Sequence, residues 1–262
     1  MKEVLRRAKN LEWALRTYRQ HHGRFGHTCL RIFQEWVRQE NKAKLFNGER
    51  ACKWTQGQAT ELLSLKTGDV PRCAACDVAK SKKKHTKAMA RKGRLSGQPR
   101  HQQPAGIYAN KMAADVFGPF AKSRQGFRYG FMVVQADKWT DVECGKHKSG
   151  ATQHIRDNIR MWLREQKERP VALRTDRGGA REYVSKSFEK YLKKIGLRHE
   201  KTAPHSSAGP AEKKIGTVKG MAKAMMIAMG VPEHLWADCV KYAATITNHL
   251  PSGSPKLEGK SP

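Results

Sequence analysis

Acid is scarce in this chain. Asp and Glu number 23 among 262 residues, against 52 Lys and Arg, which gives a net charge of +29 and a pI near 10.2. Self-repulsion on that scale is relieved when a polyanion binds, so nucleic acid is the leading partner, ahead of a membrane surface. Long apolar runs are missing too: no stretch of about 18 apolar residues and no signal-peptide pattern occurs, so no membrane span is expected. Six cysteines spread over this length do not form a disulfide framework. They suit a reducing compartment in which any pairing is explained by metal. Hydrophobic content is a modest 38%, enough at this length for a sizeable core plus a smaller module.

The most informative stretch runs from Leu173 to Glu212. Val171, Ala172 and Leu173 form a β-prone run that leads to Asp176 and then Gly178-Gly179, which predicts a carboxylate at a strand end where a turn begins. Phe188, Tyr191, Leu192 and Ile195 follow at helical spacing, and Gly196 stops that helix before a short strand around Leu197 to His199. Glu212 comes after a small-residue turn and opens a long helix. A third acid, Asp115, sits in KMAADVFGPF, where Gly118-Pro119 closes another strand. Three acids brought together repel one another unless a divalent cation compensates them. Carboxylate oxygens suit Mg²⁺ or Mn²⁺, and two such ions about 4 Å apart would clamp the attacking and leaving oxygens of a phosphodiester.

The order Asp115, Asp176, Glu212, with 60 and then 35 intervening residues, stands inside the motifs DVFGP, LRTDRGG, TAPHS and AEKKIGT. Together these resemble the catalytic core of a copia-type (LTR) retrotransposon integrase and, more distantly, the retroviral and DDE-transposase group. The resemblance runs from about residue 11 to residue 262. It implies a ribonuclease-H-like mixed five-stranded sheet flanked by helices, with Asp115, Asp176 and Glu212 as catalytic metal ligands. It further implies DNA 3′-end processing and strand transfer, double-stranded DNA as partner, a homo-oligomer, and origin in a Pol-like polyprotein. Two family asparagines are replaced here, by Arg177 and Ala208, and the PHSSAGPAE turn is two residues short while Ala180 and Arg181 look inserted. The two length changes cancel. These departures keep two alternatives open: an inactive DNA-binding relic, and a ribonuclease H-type nuclease.

Upstream, His22 and His27 are separated by four residues and Cys73 and Cys76 by two, pairs that tetrahedral Zn²⁺ accepts. HGRFGH resembles the HxxLGH run of the family's HHCC module, although 45 residues between the pairs is longer than usual. His21 is an alternative to His22. Cys29 and Cys52 read as core thiols. Val78 to His101 holds nine Lys or Arg and no acid, a linker by composition. Within it Lys82, Lys83 and Lys84 are candidate DNA contacts and a nuclear localisation signal. The expected division is therefore an HHCC module over residues 1–77, a basic linker over 78–104 and the core over 105–262.

Periodicity fills in the remaining elements. Val4, Leu5, Ala8, Leu11, Leu15 and Tyr18 predict an amphipathic first helix, and Ile32, Phe33, Trp36 and Val37 a second. Strands are expected over 107–117, 127–136 and 140–144, joined as an antiparallel meander because the connections are too short for crossover helices. Asp137 reads as a turn residue. Ile155, Ile159, Trp162 and Leu163 mark one face of a helix over 151–166, and Ile215, Val218, Ala222, Met225 and Met229 mark the Glu212 helix. Lys219 and Lys223 lie seven and eleven positions past Glu212, near its angular position, and are candidate phosphate contacts. A final helix carries Pro232, Trp236, Asn248 and Pro251, which resemble the family's PxxxW and N-x-x-P residues.

Overall fold

The fold was obtained as a computed structural model that describes residues 2–42, 54–80, 111–135, 139–165, 170–176, 183, 185–202 and 210–251. The chain begins with four helices: α1 (Lys2–Arg24), α2 (Leu30–Lys42), α3 (Gln56–Ser64) and α4 (Ala74–Lys80). Three strands follow, β1 (Lys111–Phe117), β2 (Tyr129–Val134) and β3 (Thr140–Gly145). Then α5 (Gly150–Glu165), β4 (Ala172–Asp176), α6 (Lys186–Lys194) and β5 (Arg198–Thr202) alternate. The long α7 (Pro210–Met229), a single 3₁₀ turn (Glu233–Leu235) and α8 (Trp236–His249) close the described chain.

The five strands form one mixed sheet in the order β3-β2-β1-β4-β5. β1, β2 and β3 pair antiparallel through short connections, and β4 and β5 add in parallel after helical crossovers. That is the expected ribonuclease-H-like layout. Because side chains alternate across a strand, the sheet is buried on both faces by different helices. Ala113, Phe117, Met132, Val134 and Val142 pack under α7 and α8, whereas Met112, Ala114, Phe131, Val133 and Leu173 pack under α5 and α6. Gly130 is required opposite Phe117: a Cβ there would stand 2.2 Å from the ring.

The helical segments ahead of the sheet have a third cluster of their own. Ala14, Tyr18, Phe33, Val37, Trp54, Ala59 and Leu62 form it, with Trp36 and Trp54 edge-to-face at 5.0 Å between ring centroids. Thr55 caps α3 in a capping box with Gln58.

Three of the expected apolar stripes shift at their ends. Leu11 is exposed, and the buried face of α1 runs through Ala14, Thr17, Tyr18 and His21. Leu163 is 43% exposed and Met229 78%, and each lies in the last turn of its helix. Periodicity identifies the face of a helix but not how far its packing partner extends.

Candidate functional site

The strand pleat aims two of the three acids at the same helix. Asp115 alternates with Ala113 and Phe117, so it faces α7. β1 and β4 are in parallel register as far as Ala114 and Thr175, so Asp115 and Asp176 are the next residues on adjacent strands. Thr175 points to the other face, where its hydroxyl meets His199 Nε2 at 2.8 Å. By alternation Asp176 lies on the side of Asp115. Glu212 is the third residue of α7, its first-turn acid, over that same face.

The electrostatics record this convergence. The Asp115 carboxyl is raised from 3.8 to about 6, first by burial and then by the charges of Asp176 and Glu212; the Val116 N–H, which donates to Oδ1 at 2.7 Å, opposes the rise. The carboxylates sense one another but stand apart. Among the described residues the one His/Cys/Asp/Glu group drawn to ligating separations is His22, His27, Cys73 and Cys76. Asp137, Arg177 and Ala208 lie outside the described residues, as do Cys52 and Lys82, Lys83 and Lys84.

The histidine and cysteine set is tighter, with its four ligand atoms all within 4.8 Å of one another. His22 Nε2 stands 3.2 Å from His27 Nδ1; Cys73 Sγ is 3.3 Å from His27 Nδ1 and Cys76 Sγ 3.4 Å from His22 Nε2. A tetrahedral ion with bonds of about 2.0 Å to nitrogen and about 2.3 Å to sulfur has edges of roughly 3.3–3.8 Å, so the set fits such an ion. The orientation of His22 is fixed from behind. Its Nδ1 donates to the Thr28 carbonyl at 2.7 Å, leaving Nε2 as the ligand atom. His27 holds its place at φ 60°, a left-handed conformation that non-glycine residues seldom adopt. His21 is excluded by its surroundings: it is buried among Phe25, Phe33, Trp36 and Trp54, with Nδ1 at 2.8 Å from the Thr17 carbonyl. The choice of His22 over His21 therefore follows from packing, which spacing alone left open.

A cleft of about 1550 Å³ runs along α7, and Glu212, Lys213, Lys219 and Lys223 all line it. Lys219 Nζ also lies 5.3 Å from the centre of the Phe120 ring. Sequence reasoning did not single out Phe120 or Thr28. A backbone carbonyl carries no residue-type signal, and Phe120 reads simply as an apolar residue after a turn.

Sequence comparison then supplies relatives. The chain is 30% identical over 143 residues to the retrovirus-related Pol polyprotein from transposon TNT 1-94 of Nicotiana tabacum, covering 53% of this chain and 11% of that protein. It is 24% identical over 196 residues to the truncated transposon Ty1-A Gag-Pol polyprotein of Saccharomyces cerevisiae, covering 72% of this chain and 16% of that one. The chain is similar to part of these LTR-retrotransposon Pol polyproteins. It spans only about a tenth to a sixth of the length of those two relatives. No family model matches it. Among solved structures it has a likeness to a simian T-cell lymphotropic virus intasome in complex with a PP2A regulatory subunit (17% identity, 58% of this chain and 52% of that chain, TM-score 0.42). Another is the HTLV-2 integrase catalytic core domain in complex with magnesium (18% identity, 58% of this chain and 91% of that chain, TM-score 0.41). The sheet order and pleat, rather than these scores, define the fold and site described above.

Proposed function

We propose that this chain is a metal-dependent DNA integrase unit that trims the 3′ ends of element DNA and joins them to target DNA. The observation that carries the reading is that Asp115 within β1, Asp176 at the end of the adjacent parallel strand β4 and Glu212 at the start of α7 share one face. In this reading the three carboxylates hold Mg²⁺ or Mn²⁺. When bound, the ions lower the cost of generating an oxygen nucleophile and neutralise charge on the departing oxygen. Asp115 is the partly desolvated member of the three, so its charge gains most from a bound cation. Lys219 and Lys223 receive the phosphodiester backbone along the cleft. The first reaction breaks a phosphodiester with water and leaves a 3′ hydroxyl. In the second, that hydroxyl oxygen bonds to a target phosphorus as the target's own 3′ oxygen leaves.

The His22, His27, Cys73, Cys76 set takes Zn²⁺ in a structural role, since all four corners are filled by protein and none remains for substrate. Residues 1–77 are the HHCC module, 78–104 a basic linker with Lys82, Lys83 and Lys84 as DNA contacts and nuclear address, and 105–262 the core. Joining two DNA ends calls for a second copy of the chain. The replaced asparagines, Arg177 and Ala208, favour the inactive DNA-binding relic as second reading.

The test incubates the purified chain with a blunt duplex and Mn²⁺ or Mg²⁺, beside Asp176→Asn, and resolves the strands on a denaturing gel. Shortened and joined strands that vanish in the variant establish the transferase. Binding without products establishes the relic, and cleavage confined to an RNA–DNA hybrid points to a ribonuclease H-type nuclease.

A further inference from the structure

The two halves of the histidine and cysteine set reach the core by separate routes, and both land on α7. Cys73 precedes α4 and Cys76 lies in it, and α4 packs on α7. His22 lies in the last turn of α1 and His27 follows in the turn Phe25-Gly26-His27, which packs on α7 and α8. Gly26, at φ +61°, lies so close that a Cβ there would stand 2.6 Å from Met221 Cε, 3.4 Å from Ile246 Cδ1 and 3.6 Å from Met225 Sδ. Phe25 packs both with the aromatic cluster of the helical segments and with the cluster under α7 and α8. Ile32, on α2, packs with the core-side cluster.

From this placement we infer that metal loading at His22, His27, Cys73 and Cys76 sets the position of α7, the helix that carries Glu212, Lys219 and Lys223. The inference rests on the reading of that set as a metal site. It goes beyond a fold-stabilising role. A cation ties the α1–α2 turn to α4, and both of those segments pack on α7. Without it the turn and α4 are no longer tied to each other, and each holds α7 on its own. Because Thr28, Cys29 and Ala79 line the cleft together with Glu212, the same docking builds one of its walls. Distal metal and substrate cleft are therefore linked, and ligands that fill one raise affinity at the other.

The test follows backbone hydrogen exchange of α7 in the full chain, with and without Zn²⁺, while metal content is measured in parallel. In the parent chain, removing the metal is expected to speed exchange of the Gly220–Met226 amides by about tenfold or more, as for a local opening. Ile32→Glu cuts the docking without touching a ligand. This variant is expected to keep one Zn²⁺ per chain while its α7 exchanges fast whether or not metal is bound. If it does not fold, Met226→Glu makes the same cut from the other wall. Stoichiometric metal with no change in α7 exchange on its removal overturns the linkage and leaves the metal site standing. Failure to bind metal at all overturns both.

Discussion

At the scale of the residue, Asp115 sets the terms of the site. Its carboxyl is raised to about 6 by burial and by Asp176 and Glu212. A carboxyl whose folded value lies above its unfolded one keeps its proton in the fold after the unfolded chain has released it. Stability attributable to Asp115 therefore falls as pH rises from about 4 to 6, and the full penalty persists above that. Asp115→Asn should stabilise the apo chain at pH 7.5 by on the order of 2 kcal/mol, with the gain vanishing below pH 4; urea unfolding at several pH values checks this. Mg²⁺ or Mn²⁺ should stabilise the parent chain at neutral pH and leave the Asn variant unchanged.

His154 has the opposite sign. Burial pushes its pKa below the ordinary value, although Asp141, at 3.7 Å, and Glu143 pull it up, so the neutral ring is favoured in the fold. Its contribution is present above the unfolded value and is lost as pH falls through the region of 6.5 and below. His154→Gln should flatten that acid limb in the same urea series. At the other cluster, Cys73→Ser removes a thiolate from a four-ligand set. It should abolish stoichiometric Zn²⁺ binding, read by metal analysis, and expose the Trp54 and Trp36 ring pair to solvent, read by tryptophan fluorescence.

At the scale of the element, the last helix explains two residues that the sequence marks only as motif. Asn248 is buried, and its side-chain amide accepts from the Thr140 N–H at 2.9 Å and donates to the Thr140 carbonyl at 2.8 Å. β3 is an edge strand, so Asn248 stands in for the neighbour it lacks. Trp236 Nε1 donates to the Ala121 carbonyl at 2.9 Å and so ties α8 to the loop after β1. Asn248→Ala leaves both Thr140 peptide groups without that partner. We expect a loss of about 2–3 kcal/mol in denaturant unfolding, while Asn248→Asp, which keeps the acceptor alone, should lose less. The same elements show why helix faces are easier to read than their ends. In α7 the apolar stripe Ile215, Val218, Ala222, Met225 is buried as periodicity predicts, but Met229, its last residue, is solvated.

At the scale of the whole molecule, charge governs behaviour. A chain of net charge +29 should bind duplex DNA with an affinity that falls linearly in log Kd against log salt. Replacing Lys82, Lys83 and Lys84 with Ala should reduce that slope by about 2–3, in proportion to the phosphate contacts removed, as fluorescence anisotropy across a salt series would read. Lys219→Ala together with Lys223→Ala should lower the slope by less than about 2, because Lys219 is already engaged with Phe120.

Sequence by itself marked the candidate site residues and the faces that bury the helices. Asp115, Asp176 and Glu212 are legible because an acid followed by Gly or Pro at the end of an apolar run, or set in the first turn of a helix, is a local pattern, and local patterns fix local structure. His22, His27, Cys73 and Cys76 are legible by spacing, and the meander of the first three strands by the shortness of its connections. Tertiary structure alone decided three things. It chose His22 over His21, because burial among four aromatic rings is a property of the assembled cluster. It showed that the three acids share a face without yet closing on one another, since that separation depends on how α7 seats over the sheet. And it brought Gly26 and Ile32 onto α7, some two hundred residues along the chain. No periodicity within either segment encodes that contact; it arises when two separately patterned surfaces meet.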